Sequence, residues 1–163
     1  MTPDVNVLVA AFREGHVHHA TARAWLAAAL ADCSRGSSLE ILPMIAAGFV
    51  RLVTDVRIFA SPSTARAAHH FLNEILVADG ASLLELGREW DAFETLCTER
   101  SIAGADVPDA WIAAAVTTYG LHLVTFDADF RRLLRSDQFT LLVPRSNLQE
   151  EGGGYGPVLR LAA

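Results

Sequence analysis

The chain has 163 residues, of which 52% are hydrophobic and 20% are charged. Such a chain is one globular domain, long enough to bury a core without disulfide or metal staples. Its formal net charge of −6 excludes a broad basic surface that holds nucleic acid by neutralising phosphates. An acidic pocket in which a metal ion bridges protein and phosphate remains compatible with that charge.

The sequence also indicates in which cellular compartment the protein is expected. No apolar run approaches the length of a membrane-spanning helix. The first residues, MTPDVNVLVAAF, carry an acidic residue where a signal peptide carries positive charge. Two isolated cysteines, Cys33 and Cys97, lack metal-site spacing and are expected to be small buried side chains. These features predict a cytoplasmic protein.

The first predicted element is a strand over residues 5–11, because this near-continuous apolar run is typical of the centre of a parallel sheet. Asp4 opens the run and Asn6 lies two residues on, so both side chains are expected on one face. A carboxylate at the mouth of a buried strand is unfavourable unless it is paired, caps a helix or binds a metal. Asp4 is therefore a candidate functional residue.

A helix is predicted next, over residues 16–31, after a break at Gly15. Its start carries His16, His18 and His19. Their spacing lacks the i, i+4 pairing of helical zinc sites, and no partner cluster accompanies them. We therefore expect a solvated helix start rather than a zinc site.

The middle of the chain predicts a continued alternation of strands and helices. Strands are expected over 39–42 and 82–86, and helices over 44–53, 63–77 with Ser63 as its cap, and 88–100. Gly48 interrupts one helix, which costs roughly 1 kcal/mol relative to alanine and marks close packing or close approach of a ligand. Trp90, Phe93 and Leu96 recur at helical spacing, which predicts that they face the core.

The stretch from Ala105 to Phe130 contains most of the candidate metal-binding residues. It predicts a helix that begins near Asp106 and Pro108 and stops at Gly120, followed by a buried strand over 121–125. Four carboxylates flank these elements: Asp106, Asp109, Asp127 and Asp129. Ligands of open α/β sheets bind at the carboxyl ends of strands, and clustered carboxylates suit Mg²⁺ or Mn²⁺. Helix caps and turn residues are the alternative explanation, since aspartate is common in both roles.

The end of the chain predicts a short helix, a last strand over 139–143, and a flexible C-terminal tail over 146–163 after a domain spanning 1–145. The short helix carries three arginines, Arg131, Arg132 and Arg135. They are expected either to face solvent or to contact RNA phosphates. The whole alternation predicts an α/β sandwich around a mostly parallel sheet.

Several motifs, in this order, resemble a PIN-domain ribonuclease, specifically a VapC-type toxin of a bacterial toxin–antitoxin pair. They are Asp4-Val5-Asn6, Arg51, Pro108-Asp109-Ala110 and Thr125-Phe126-Asp127-Ala128-Asp129-Phe130. The resemblance covers about residues 3–143 and implies a PIN-like three-layer α/β/α sandwich. It also implies a Mg²⁺- or Mn²⁺-dependent endoribonuclease toxin that cleaves RNA, with tRNA or rRNA as substrate, a cognate VapB-type antitoxin and a homodimer.

By this resemblance, Asp4, Asp109 and Asp127 would hold the metal and act in catalysis together with Asp129. Supporting or substrate-binding positions would be Asn6, Arg51, Asp106 and Thr125. The family usually carries a glutamate just before the residue that matches Phe49, and Gly48 stands there instead. This departure leaves open whether one or two metal ions bind.

Other protein classes that handle phosphate fit less well. Haloacid dehalogenase-type enzymes and response-regulator receivers both need a lysine, whereas all 13 basic residues here are arginines. The dehalogenase type also needs an acid where Asn6 stands, and no GxxxxGK[ST] phosphate loop is present. The alternative that Gly48 favours is a catalytically weakened PIN-like domain that binds RNA or a partner protein without cleaving.

Overall fold

The computed structural model describes residues 1–143, in which five short strands alternate with six α-helices. The strands are β1 (Thr2–Pro3), β2 (Leu39–Ile41), β3 (Ala81–Leu83), β4 (Leu123–Thr125) and β5 (Phe139–Leu141). The helices are α1 (Val5–Phe12), α2 (His19–Cys33), α3 (Pro43–Thr54), α4 (Ala65–Leu76), α5 (Trp90–Arg100) and α6 (Val107–Thr118). Two 3-10 turns cover Gly104–Asp106 and Ala128–Arg132. The predicted tail over 146–163 and the domain boundary at 145 lie outside the described residues.

All strand pairs in the described part of the chain are parallel. β4 lies between β1 and β5, and β2 pairs with β3. The Glu40 N–H donates to the Met1 carbonyl at 2.8 Å and the Met1 amino group donates to the Ser38 carbonyl at 2.9 Å. These bonds set the two sheets edge to edge in the order β3-β2-β1-β4-β5. The predicted α/β sandwich with a parallel sheet is confirmed.

This strand order fixes where a ligand can bind. The chain proceeds outward from β1 to β3 and then returns to place β4 on the other side of β1. Crevices of open α/β sheets form where the strand order reverses, at the carboxyl ends of the two central strands. The ends of β1 and β4 are therefore the expected position of a site, and Asp4 and Asp127 follow those two ends closely.

The first helix replaces the strand predicted over residues 5–11. Asp4 is extended (φ −74°, ψ 162°), and its carboxylate accepts a hydrogen bond from the Val5 N–H at 2.6 Å, so that α1 begins immediately after it. A continuous apolar run fits a buried strand or a helix buried all round. Since five of the eight residues of α1 are buried, the run is a helix and the strand prediction is wrong.

The core lies between the sheet and the helices that surround α1. Its largest fully buried side chains are Phe49, Phe130, Leu8, Leu39 and Ile41. Both cysteines are free thiols; Cys33 is buried, as expected, whereas Cys97 is only half-buried. Within residues 1–143 no helix has both the length and the apolar character that a bilayer crossing requires.

Of the stripe predicted to face the core from α5, only Leu96 packs against the core. No residue of α5 is buried, and the Trp90 side chain is 55% exposed. Phe93 stacks on Trp111 of α6 with ring centroids 5.1 Å apart, and Trp90 approaches the same indole edge-on at 6.3 Å. Trp90 and Phe93 therefore form an aromatic cluster with Trp111 on the surface of the α5–α6 pair.

Helix boundaries differ from the predictions by a few residues. Helix α2 begins at His19 rather than at residue 16. The cap of α4 is Thr64, whose hydroxyl accepts from the Ala67 N–H at 3.2 Å, rather than Ser63. Gly120 has a φ of +62° just after α6, which confirms the predicted helix stop.

Candidate active site

Asp4 lies at the end of β1 and is almost completely buried, with 3% of its surface exposed. One carboxylate oxygen, Oδ1, accepts the Val5 N–H, and the other, Oδ2, accepts from Asn6 Nδ2 at 2.7 Å and from the Thr125 hydroxyl at 2.6 Å. Burial raises the pKa of Asp4, and these hydrogen bonds oppose the rise. Asp4 is therefore a preorganised carboxylate at the N-terminus of a helix.

Thr125 joins the two central strands at this point. Its buried hydroxyl donates to Asp4 and accepts from the Asp127 N–H at 2.9 Å, while Asn6 Nδ2 lies 3.0 Å away. The Asn6 side-chain oxygen accepts the Phe126 N–H at 3.2 Å. The predicted proximity of Asp4 and Asn6 is thus present, but it arises at the first turn of a helix rather than on one face of a strand.

Asp127 and Asp129 lie in the turn that follows β4. The Asp127 carboxylate accepts the Asp129 N–H at 2.8 Å and so caps the short 3-10 turn. The Asp129 carboxylate forms an ion pair with Arg132 at 3.3 Å, in which both side chains are exposed. Asp127 therefore has the turn-capping role that the sequence left as an alternative. It also lies close enough to Asp4 for the two charges to interact.

Asp109 lies in the first turn of α6, after Pro108, and is half-buried. Burial raises the pKa of Asp109 to about 6, with further contributions from the negative charges of Asp4, Asp127, Asp106 and Asp129. These five acids therefore lie in one region of negative potential. The sequence predicts four of them as one cluster, and the family resemblance adds Asp4.

Asp106 occupies the position before α6, but its side chain makes no capping hydrogen bond, contrary to the predicted cap. It lines a cleft of about 270 Å³ together with Asp109 and Asp129. Arg100 and Arg132 lie at the edge of the same cleft.

A hydrated divalent cation fits this donor set. Neither Asp4 nor Asp109 forms an ion pair with an arginine anywhere in residues 1–143. In that same region, no three His, Cys, Asp or Glu side chains converge closely enough to enclose an ion as they stand. Mg²⁺ usually keeps several waters and takes one or two protein carboxylates, so a dedicated cage is not required.

Gly48 lies on the face of α3 that packs against the start of α1. A Cβ added at this position would lie 3.4 Å from the Val5 side chain, which is ordinary van der Waals contact. A side chain at position 48 would therefore extend beside the residue next to Asp4. The glycine leaves this flank of the acidic region without a carboxylate.

Arg51, the supporting position implied by the family resemblance, and Arg13 of the segment after α1 both lie elsewhere. Arg51 is exposed on α3 beside a groove between α3 and α4 and makes none of the contacts described above. Arg13 donates to the Ser63 hydroxyl at 2.9 Å and stacks on the Phe59 ring at 4.3 Å. Arg13 therefore anchors the loop that precedes α4.

The histidines are not a solvated helix start. His18 is half-buried and its ring stacks on Phe126 with centroids 4.5 Å apart. His19 Nδ1 lies 2.9 Å from the Ala10 carbonyl, and His16 Nδ1 accepts the His18 N–H at 3.1 Å. The sequence offered no signal for the His18–Phe126 contact, because the two residues lie more than a hundred positions apart.

A sequence model of the PIN domain matches residues 1–135. The chain therefore belongs to the PIN-domain family, which confirms the resemblance drawn from the acidic motifs.

Within that family the curated relatives are VapC proteins. The VapC ribonuclease of Mycobacterium bovis is 33% identical over 133 residues, which cover 81% of this chain and 88% of the relative. Ribonuclease VapC31 of Mycobacterium tuberculosis is 32% identical over 130 residues, covering 79% of this chain and 89% of the relative. The VapC-type assignment is thereby confirmed as well.

Two solved structures share the fold. One is VapBC2 from Rickettsia felis bound to a DNA fragment of its promoter, with a TM-score of 0.59, 12% identity, and 87% of this chain and 98% of that chain covered. The other is VapC20 of Mycobacterium tuberculosis, described as a toxin that cleaves the sarcin–ricin loop. It has a TM-score of 0.55, 19% identity, and coverage of 80% of this chain and 92% of that chain. At these identities the likeness shows the fold alone.

Proposed function

We propose that the chain is a divalent-metal-dependent endoribonuclease of the VapC type that hydrolyses RNA phosphodiester bonds. The observation that carries the proposal is the group of acids at the reversal point of the sheet, in which Asp4 and Asp109 lack a cationic partner within residues 1–143. Identity of about one third to VapC ribonucleases over most of the chain supports the same activity.

Asp4, Asp109 and Asp127 would hold the metal ion, Mg²⁺ or Mn²⁺. When bound, such an ion supplies charge neutralisation of the phosphate and lowers the pKa of a water. Hard oxygen ligands of this kind select ions of that class. Metal dependence and the ligand set are part of the proposal.

The protein's own groups would keep the site in one geometry. Thr125 and Asn6 fix Asp4 through three hydrogen bonds among the three side chains. Thr125 also accepts the Asp127 N–H, so the turn after β4 is tied to the same hydroxyl. Asp127, or Asp129 when it is released from Arg132, would accept the proton of the attacking water.

An RNA-cleaving toxin requires restraint, and we propose a VapB-type antitoxin as the partner. The fold neighbour from Rickettsia felis is a VapBC structure, which supports a partner of that kind. A homodimer, a tRNA or rRNA substrate and a cytoplasmic location belong to the same proposal.

The test is cleavage of a pool of tRNA and rRNA by the purified, antitoxin-free protein with Mg²⁺, with Mn²⁺ or with EDTA. We expect discrete fragments with either metal and none with EDTA. The Asp109→Asn variant, checked for folding by circular dichroism, should lose the fragments. Fragments that persist in EDTA or in this variant would overturn the assignment.

The second candidate is a PIN-like domain that binds RNA or a partner protein without cleaving it. Gly48 favours it, because no carboxylate occupies that flank of the site, and so does the lack of three converging ligands in the described region. A folded protein that binds RNA but never cleaves it with any metal would establish this candidate. Restored cleavage in Gly48→Glu would identify the glycine as the reason.

A further inference from the structure

We infer that a groove beside the acidic cleft is the path along which single-stranded RNA leaves the scissile phosphate, an inference that rests on the proposed ribonuclease function. The groove has a volume of about 560 Å³ and lies between α5, α6 and the segment that follows β4. Arg100 and Arg132 line both this groove and the acidic cleft, so the two spaces are adjacent. A strand bound at the acids would continue into it.

The lining of the groove contains more arginines than acids, whereas the whole protein contains more acids than arginines. Its lining includes four arginines and two acids: Arg100, Arg131, Arg132, Arg135, Asp91 and Glu99. In the complete chain, 19 acidic residues outnumber 13 arginines. A polyanion that approaches a chain of net charge −6 is attracted to such a locally cationic region.

Two of these guanidinium groups are available to a ligand. Arg131 has no ion-pair or hydrogen-bond partner within residues 1–143. The Arg135 guanidinium donates two hydrogen bonds to the Asp137 carboxylate, at 3.1 and 3.2 Å, and both side chains are 69% exposed. Exposed pairs of this kind contribute little, so a phosphate can replace the carboxylate. The planar guanidinium also matches two phosphate oxygens at once.

The other two arginines hold the junction between cleft and groove. Arg132 pairs with Asp129, and the Arg100 guanidinium donates to the Arg132 carbonyl. Arg100 and Arg132 therefore lie where the strand would pass from the acids to Arg131 and Arg135.

The walls favour an unpaired strand over a duplex. The wall on α6 presents the small side chains of Ala113, Ala114 and Thr117, while Glu99 supplies an acceptor. Unpaired bases offer their edges to such groups, whereas the bases of an RNA duplex are largely hidden in its deep groove. Positively charged grooves that follow the backbone are typical of single-strand binding.

The test measures RNA affinity without cleavage. The parent is full-length Asp109→Asn in EDTA, and the probe is a fluorescein-labelled unpaired RNA of about twelve nucleotides. Arg131→Gln with Arg135→Gln should raise the Kd by about 10-fold and reduce the slope of log K against log salt by about 1.4, as expected for two lost phosphate contacts. Arg66→Gln, which removes an exposed arginine from α4, should leave both quantities unchanged.

The outcomes separate the groove from the nuclease. If the wild-type protein cleaves RNA but the double variant binds the probe as tightly as its parent, or the parent does not bind at all, the groove assignment is wrong. If the double variant loses affinity in a protein that never cleaves, the groove binds RNA but the nuclease proposal fails, and with it the assignment of the groove as a path from a scissile phosphate. Unchanged RNA affinity with weakened antitoxin binding would assign the groove to the protein partner and overturn the inference.

Discussion

The two halves of the acidic site are built on opposite principles. At the junction of β1 and β4, Asp4 is buried and each of its oxygens accepts hydrogen bonds from neighbouring groups. At the start of α6, Asp109 is half-buried and its pKa is raised to about 6 by burial and by the surrounding negative charges. Hydrogen bonds hold the Asp4 carboxylate in place, whereas the Asp109 carboxylate lies near the other acids despite the repulsion between their negative charges. A cation would therefore stabilise mainly the second half.

The largest expected effect comes from breaking the first half. In Asp4→Asn, an NH2 group replaces one of the two carboxylate oxygens. In one orientation it faces the Thr125 hydroxyl and the Asn6 amide, and in the other it faces the Val5 N–H, so donors face donors in either case. Leaving buried donors without acceptors costs about 1–3 kcal/mol, so the free energy of unfolding should fall by that amount. Cleavage should fall on the order of 100-fold or more, because a ligand is lost as well.

Urea unfolding followed by circular dichroism, together with cleavage rates in Mg²⁺, checks this prediction. A variant as stable as the wild type would show that the hydrogen bonds to Asp4 contribute nothing.

A smaller loss of stability and cleavage is expected when the hydrogen bond from Thr125 is removed but the Asp4 carboxylate is kept. Thr125→Val preserves shape and deletes a hydroxyl that donates to Asp4 and accepts from the Asp127 N–H. Stability should decrease by about 1–2 kcal/mol and cleavage by about 10- to 100-fold. Thr125→Ser retains the hydroxyl and is the matched control, so equal losses in the two variants would contradict the hydrogen-bond explanation.

The smallest effect concerns the second half and has the opposite sign. Because the folded-state pKa of Asp109 lies near 6, above its ordinary value of 3.8, the folded protein binds this proton more tightly than the unfolded chain does. In EDTA the free energy of unfolding should therefore fall as the pH rises from about 4 to 6, with the full deficit present above 6. Asp109→Asn should be more stable than the wild type at pH 7.

Thermal unfolding across this pH range, with and without Mg²⁺, measures both parts of the prediction. Mg²⁺ should raise the Tm of the wild type at pH 7 and leave that of Asp109→Asn nearly unchanged. A metal-induced increase of equal size in the variant would place the cation away from Asp109.

Sequence alone predicted that the acids lie near one another, because parallel strands end at the same edge of a sheet and Asp4 and Asp127 follow two such ends closely. It failed over residues 5–11, since an apolar run without periodicity does not distinguish a buried strand from a helix buried all round. It also missed the stacking of His18 on Phe126 and the adjacency of Arg100 and Arg132. These are contacts between distant segments, which no local pattern encodes.

The bond between Thr125 and Asp4 spans 121 positions of the chain. On the ribosome, β1 emerges first, and its β4 neighbour follows only after all of α1 to α6 has been made. Until then neither the buried Asp4 carboxylate nor the Asp127 turn has its place, so a nascent or truncated chain that lacks β4 does not assemble the acidic site. Under the proposed function, synthesis would delay ribonuclease activity until β4 has been made, which would give the proposed antitoxin time to be present.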